Sequence, residues 1–282
     1  MDFITYAKTK PQEQRSVVSG ALLPQKMLEI IHDIEGVYPL HKLIEKKSVS
    51  TKNHKAAWTK TDPALNWVSE GSTIPETVAE FAGAVFNLHK LSVTLKMSEE
   101  LLMDSEFDLE QYLGDAFGRA LGENLESAFI NGDGTDKPLG FLQSCDTIPS
   151  AAANIGYSDI QGLYSRLSMK YAHRAAWLVN NKTLSAIARL SDNGCPLFQS
   201  TVPKELGNAI GNVLGAPVYL ADMPDSKPVA FGDFTQYVCL EGTPSIQRLD
   251  EPYSETGLIA FVYRQAIDAK LLRSDAVLAL EM

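Results

Sequence analysis

The residues with chemistry to offer are few and scattered. Asn131-Gly132-Asp133-Gly134-Thr135-Asp136 spaces oxygen ligands much as a calcium loop does, yet the twelfth position from Asn131 is Leu142, where a bidentate glutamate is required. No calcium site is expected there. His32, His41, His54, His89 and His173 show neither metal-ligand spacing nor a paired nucleophile, and read as structural histidines. Cys145, Cys195 and Cys239 are an odd number with no CxxC pair, so neither a disulfide framework nor a zinc site is indicated. Glu70, beside Gly71 in a hairpin-like stretch, has the group of a general acid but no second carboxylate at a defined spacing. A solvated or interface role follows. GxxxxGK[ST], GxSxG and HExxH are absent, and no catalytic, metal or cofactor site is expected.

The strongest periodic element runs from Ser105 to Pro138. Leu109, Leu113, Phe117, Leu121, Leu125 and Phe129, with Tyr112, Ala116, Ala120 and Ala128 beside them, recur at three- and four-residue spacing. This predicts a single helix of about 33 Å with one apolar stripe. Asp108 or Ser105 is placed to cap its first turn, and Gly132 and Gly134 to end it where φ is positive. Gly114, Gly118 and Gly122 form a second stripe. Each glycine costs about 1 kcal/mol relative to alanine inside a helix, so three in register are either chance in a glycine-containing chain or, on the sharper reading, the mark of another backbone passing close by. Asp115, Arg119 and Glu123 between them exclude a membrane dimerisation motif.

Around this spine the pattern is less regular. Residues 1–20 are polar and predict an extended arm, followed by one short helix within 22–34. From Val37 to Phe86, short strand-like pieces alternate with turns. The stretch contains Trp58 and Trp67 but too little continuous apolar sequence for a core of its own. It needs an outside surface to lie on. Phe86 to Met97 alternates through Leu91, Val93 and Leu95 and predicts a strand covered on one face. Further on, the pattern predicts a helix over Ile160 to Tyr171 capped by Ser158 or Asp159, a buried strand at 175–179 and a helix over Thr183 to Leu190. A loop at Pro196, a helical run near Glu205 to Leu214 and short strands at 218–220, 229–231, 237–240 and 246–249 complete an α/β layer spanning roughly 139–255. The end returns to strands at 258–263 and 276–280.

A hydrophobic content of 45% with 21% charged residues is that of a soluble folded chain. No signal-peptide pattern opens it and no run of eighteen apolar residues follows, so a cytosolic, non-membrane product is expected. The net charge of −10 argues against a dedicated nucleic-acid binder. That charge is uneven: residues 1–60 hold ten Lys/Arg against six Asp/Glu, and residues 61–282 hold fifteen against twenty-nine. The basic leading segment, with Lys42, Lys46, Lys47, Lys52, Lys55 and Lys60, reads either as a solvated tail or, more sharply, as a strip that lies on acidic surfaces of neighbouring copies.

Several motifs, in order, resemble one family. Trp67-Val-Ser-Glu-Gly71 with Ile74-Pro-Glu76, Ser98-Glu-Glu-Leu-Leu-Met-Asp104, Ala128-Phe-Ile-Asn-Gly-Asp-Gly-Thr135 with Pro138-Leu-Gly140, Ala176-Trp-Leu-Val-Asn-Asn181, Gly215-Ala-Pro-Val218 and Gly232-Asp-Phe234 resemble tailed-bacteriophage major capsid proteins of the Hong Kong 97 phage fold. The resemblance implies an α+β fold. Its parts would be an N-terminal arm (1–48), an E-loop hairpin (49–86), a peripheral domain holding the spine helix (87–138, with return strands at 256–282) and an α/β axial domain (139–255). The implied function is structural: self-assembly into hexamers and pentamers of an icosahedral shell around double-stranded DNA, built in the bacterial host cytoplasm and found in the virion capsid. Portal, scaffolding or decoration proteins would be partners. Scaffolding is expected either from a removed N-terminal region or from a separate protein, since Met1 stands directly at the arm. An encapsulin-like shell around protein cargo is the alternative within the fold, and an α/β enzyme without a recognisable motif is the alternative outside it.

On this reading the residues expected at intersubunit contacts are Lys52, Lys55, Trp58, Lys60, Trp67, Glu70 and Gly71. Gly114, Gly118 and Gly122 would serve close packing of the spine, and Asn131, Gly132, Asp133 and Gly134 its exit turn. Some members of the family join an E-loop lysine covalently to an asparagine of another subunit. That chemistry needs a carboxamide electrophile, and no asparagine follows Asn212 here; near the chain end only Asp268, Asp275 and Gln265 stand in its place. Non-covalent shells are expected.

Overall fold

The computed structural model describes residues 30–31, 37–49, 53–59, 67–69, 81–98, 100, 109–150, 154–192, 194–200, 209–249 and 257–282. Among the described residues Ile30 and Ile31 are helical, and the α-helices described are, in chain order, α1 (Pro39–Leu43), α2 (Leu109–Asn131), α3 (Phe141–Ser144), α4 (Tyr157–Arg166), α5 (Met169–Ala172) and α6 (Asn181–Ile187). The strands are β1 (Glu45–Val49), β2 (Asn53–Thr59), β3 (Phe81–Asn87), β4 (His89–Ser98), β5 (Asp146–Pro149), β6 (Ala176–Val179), β7 (Ser191–Asp192) and β8 (Cys195–Pro196). They continue with β9 (Phe198–Gln199), β10 (Gly211–Val213), β11 (Ala216–Leu220), β12 (Val229–Gly232), β13 (Tyr237–Gly242), β14 (Ser245–Leu249), β15 (Leu258–Leu271) and β16 (Val277–Glu281). No described helix is long and apolar enough to cross a membrane.

The predicted spine is α2, 23 residues long. Its stripe spans two cores. Leu113, Phe117 and Leu121 pack with Met97 of β4 and with Ile259, Phe261 and Tyr263 of β15. Nearer its end, Leu125, Phe129 and Ile130 meet Leu40, Phe141, Phe234 and Tyr237. One helix thereby ties these two hydrophobic clusters together, and burying these side chains contributes roughly 2 kcal/mol each. The proposed caps, Ser105 and Asp108, lie outside the described residues.

The glycines meet expectation at one position and depart from it at others. Gly134 has φ +76°, the left-handed conformation foreseen for the helix exit. Gly132 does not belong to that class: a Cβ there would run into the Pro138 carbonyl oxygen, so the requirement is close backbone approach. Its N–H donates to Ala128 O at 2.8 Å and its own carbonyl accepts from Gly140 N at 3.0 Å, folding 132–140 tightly onto the helix end. On the spine, Gly114 faces the Ile30 side chain and Gly122 the Tyr38 ring. Side chains of the leading segment fill these gaps, where a passing backbone was expected. Gly118 between them is buried.

Two sheets carry most of the rest. In the first, β15 is the central ribbon: β4 pairs antiparallel along one edge (Leu258↔Ser98 to Ile267↔His89), while β14 and β13 pair with its two halves on the other. β1 adds to β13 in parallel. The second sheet has the order β5-β16-β12-β6-β11-β10-β9. Its β6 is buried at all four residues, as the apolar run AWLV predicts for a central strand. Trp177 stacks on Phe231 at 4.0 Å, and its indole N–H donates to Val213 O at 3.0 Å. Sheet membership crosses the expected boundary near 255, because β13 and β14 join the sheet of β4 and β15 while β16 from the chain end joins the other.

Local expectations between 139 and 255 need several corrections. The Ile160 helix is N-capped by Gly156, and Asp159 at the third helical position accepts from Gly156 N at 2.9 Å. It ends at Arg166, and Tyr171 belongs to a separate short helix, α5. Pro196 lies in the two-stranded β7–β8 sheet. The helical run expected to reach Leu214 is, in its described part, strand β10, joined to β11 by a two-residue turn with Leu214 at φ 50° and Gly215 at φ 81°. Positive φ at both positions is the twist that suits a tight hairpin, and this local geometry overrode the helical spacing. The Phe86–Met97 strand is two strands, β3 and β4, separated at Leu88.

Candidate assembly interface

β2 and β3 form a two-stranded antiparallel hairpin, in register from Asn53↔Asn87 to Thr59↔Phe81. That register sets Lys55 opposite Val85 and Trp58 opposite Ala82. The hairpin base is anchored: Phe86 is buried with Val238 and Leu240, Asn87 N donates to Asp268 Oδ2 at 2.8 Å, and Lys270 Nζ to Val85 O at 2.6 Å. Asp268 is buried, and that burial raises its carboxyl above the usual range against the opposing pull of Asn87 N–H and Lys270. Trp67 is fully exposed, with Val68 and Val85 also open to solvent. Lys52, Lys60, Glu70 and Gly71 lie outside the described residues.

The basic leading segment is partly engaged within its own chain. Lys46 on β1 pairs with Glu241 on β13 at 3.3 Å, and Lys47 with Glu45 at 3.2 Å, while Lys42 is exposed. At the spine exit, Asn131 ends α2 and Asp133 bridges Leu139; the Asp133 carboxylate accepts from Thr135 N at 3.1 Å. This is a turn closed on itself. Among the described residues no cluster of three His, Cys, Asp or Glu side chains is placed to hold a metal ion. Gln265, the carboxamide near the chain end, is buried and accepts from Tyr263 Oη at 2.8 Å.

Two features were missed in the sequence. Met169 at the start of α5 is exposed, and Tyr164 on α4 is half exposed although it stacks on Phe231. Apolar residues at helical spacing read as core, and only the sheet beneath decides which of them reach it. The second is a cleft of about 750 Å³ between α2, α1 and the end of β11, lined by Tyr38, Glu123, Glu126, Asn181 and Asp222 among others. Glu126 is only 6% exposed there, and its Oε2 has no hydrogen-bond partner. Burial, with Asp222 adding to it, pushes its carboxyl up to about 7.

A family model described as the phage capsid family matches residues 20–282. The chain belongs to the phage capsid family. Among solved structures, this phage capsid protein is similar to the capsid of an empty GTA particle computed with C5 symmetry, with 25% identity and a TM-score of 0.72 over 87% of this chain and 90% of that one. It shares its fold with Gordonia phage Cozz at 13% identity and a TM-score of 0.64, covering 86% of this chain and 85% of the other. It likewise shares it with the holo-SrpI encapsulin complex from Synechococcus elongatus PCC 7942, at 14% identity and a TM-score of 0.66, covering 86% of each chain. No curated protein matches it. The α+β architecture and the reading as a capsid structural protein are those of this family.

Proposed function

We propose that the protein is the major shell subunit, a tile that self-assembles into hexamers and pentamers of an icosahedral shell enclosing double-stranded DNA. The observation that carries this, beyond family membership, is the hairpin β2–β3 with Trp67 left bare. A two-stranded hairpin is marginally stable alone, and a fully exposed tryptophan forgoes some of the largest burial available to any side chain. A neighbouring tile supplies that cover. The hairpin and its tip (49–86) are accordingly the intersubunit element, with Lys52, Lys55, Trp58, Lys60, Trp67, Glu70 and Gly71 at the contact. An acidic tile suits DNA as content, since a strongly basic inner wall would hold packaged phosphates tightly. The role is structural, with assembly in the bacterial host cytoplasm and portal, scaffolding or decoration proteins as partners.

The encapsulin likeness supports a second reading, a shell around protein cargo. Electron microscopy of the purified chain tests both. Closed shells are expected, and small oligomers alone would overturn the shell reading. Nuclease-protected DNA inside native particles supports the capsid, and a co-purifying protein cargo in its place supports the compartment.

A further inference from the structure

The cleft beside α2 is walled mainly by acids. Glu123 and Glu126 face it from α2, Asp222 from the segment after β11, and Tyr38 from the start of α1. Asn180, also on the wall, has its amide engaged: Oδ1 accepts from Thr183 N at 2.8 Å and Nδ2 donates to Met223 O at 3.2 Å. Arg119, one turn earlier on α2, spends its Nε on Asp115 O at 3.2 Å, and its carbonyl accepts from Tyr38 Oη at 3.3 Å. His41 on α1 packs between Tyr38 and Phe129. Glu126 lines this cleft, and its buried Oε2 has no described group donating to it. An ionised carboxylate in that position is costly unless paired.

We propose that this cleft receives a lysine side chain from the leading segment of a second copy, making it a docking site between tiles. The proposal rests on the shell reading above and names one contact within it. A lysine ammonium carries three donors, enough for Glu126, Asp222 and a wall carbonyl or amide oxygen at once. A bare divalent ion fits less well, because no three acidic or histidine side chains among the described residues converge on one point. Charge complementarity selects the source: residues 1–60 hold nine lysines and one arginine, and the remainder of the chain is strongly acidic. Lys46 and Lys47 already have partners in their own subunit. The donor is therefore one of Lys8, Lys10, Lys26, Lys42, Lys52, Lys55 and Lys60.

Protonation gives the proposal a signature. In the free tile Glu126 is held near 7, above its ordinary 4.5, by burial first and Asp222 second. A folded-state value raised in an acid means that subunit stability is greatest below the unfolded value and falls as pH rises from about 4.5 to about 7. An arriving ammonium reverses the preference, so docking releases a proton and strengthens with rising pH. Glu126→Gln then moves two readouts in opposite directions. It should raise the melting temperature of the free subunit at about pH 8 and not at about pH 4, yet weaken assembly at about pH 8 roughly tenfold by light scattering. A residue of merely structural importance would move both the same way. Asp222→Asn, at an exposed position, should weaken assembly in the same sense without altering the fold.

The deciding experiment mixes isotopically heavy and light copies, treats the resulting particles with a zero-length carbodiimide and sequences the cross-linked peptides. Mixed-isotope peptides joining Glu123, Glu126 or Asp222 to one of these seven lysines are expected. Peptides of one isotope only, lysines from elsewhere or no cross-link at all would overturn the proposal, as would unchanged assembly in both variants. If microscopy shows no shells, the shell reading has failed by itself. The cleft is then judged on the same mixed-isotope peptides in whatever oligomer forms, and their absence overturns it.

Discussion

Two glycines show how differently one residue type acts. At Gly132 a methyl group would strike the Pro138 carbonyl oxygen, a backbone atom with no freedom to move because 132–140 is closed by hydrogen bonds at both ends. Gly132→Ala should therefore cost about 2 kcal/mol or more, seen as a fall in melting temperature of several degrees. Gly162, inside α4, has open space where a methyl group would stand, with no neighbouring atom within 4 Å, so Gly162→Ala should stabilise by about 0.5–1 kcal/mol through helix propensity alone. Calorimetry on the free subunit measures both. Equal effects would mean that the exit turn is looser than its hydrogen bonds indicate.

The hairpin β2–β3 is an element whose base and tip obey different rules. Its base is tied to β15 through Asp268 and Lys270 and to the core through Phe86. Its tip side carries Trp67 with no cover from the subunit. Trp67→Ala should leave the melting transition of the free subunit unchanged and reduce assembly sharply, as expected when a buried aromatic anchor is removed from an interface. A drop in subunit stability would place the tryptophan in the subunit's own core instead. The spine has the opposite character, since its stripe from Leu113 to Phe129 is fully committed within the chain.

For the whole molecule the central question is what holds one tile to the next. A covalent lock between tiles needs a lysine and an accessible carboxamide. Here the candidates near the chain end are Gln265, buried against Tyr263, Asp268, buried against Asn87, and Asp275, which pairs with Lys170 at 3.8 Å and accepts from Tyr171 Oη. None offers an amide electrophile to another subunit. Native particles boiled in detergent should release a single band near 30.9 kDa. A ladder resistant to reductant would show a lock formed by other residues. With only non-covalent contacts, screening matters, and a shell relying on the lysines of residues 1–60 should loosen as salt shortens the Debye length from about 10 to about 3 Å.

The sequence by itself determined the elements whose signal is local and repeated. The stripe from Leu113 to Phe129, the buried run at 176–179, the alternation through Leu91, Val93 and Leu95 and the left-handed Gly134 follow from periodicity and steric cost, which neighbouring residues alone define. It also made family membership legible, because its motifs recur in order. Only the tertiary structure decided that β15 serves β4, β13 and β14 together, that β16 crosses to the second sheet, and that residues 211–213 form a strand. It alone placed Glu126 beside Asp222. Strand partners and buried charges depend on what arrives from far along the chain, and a carboxylate on a helix reads as solvated until another segment closes over it.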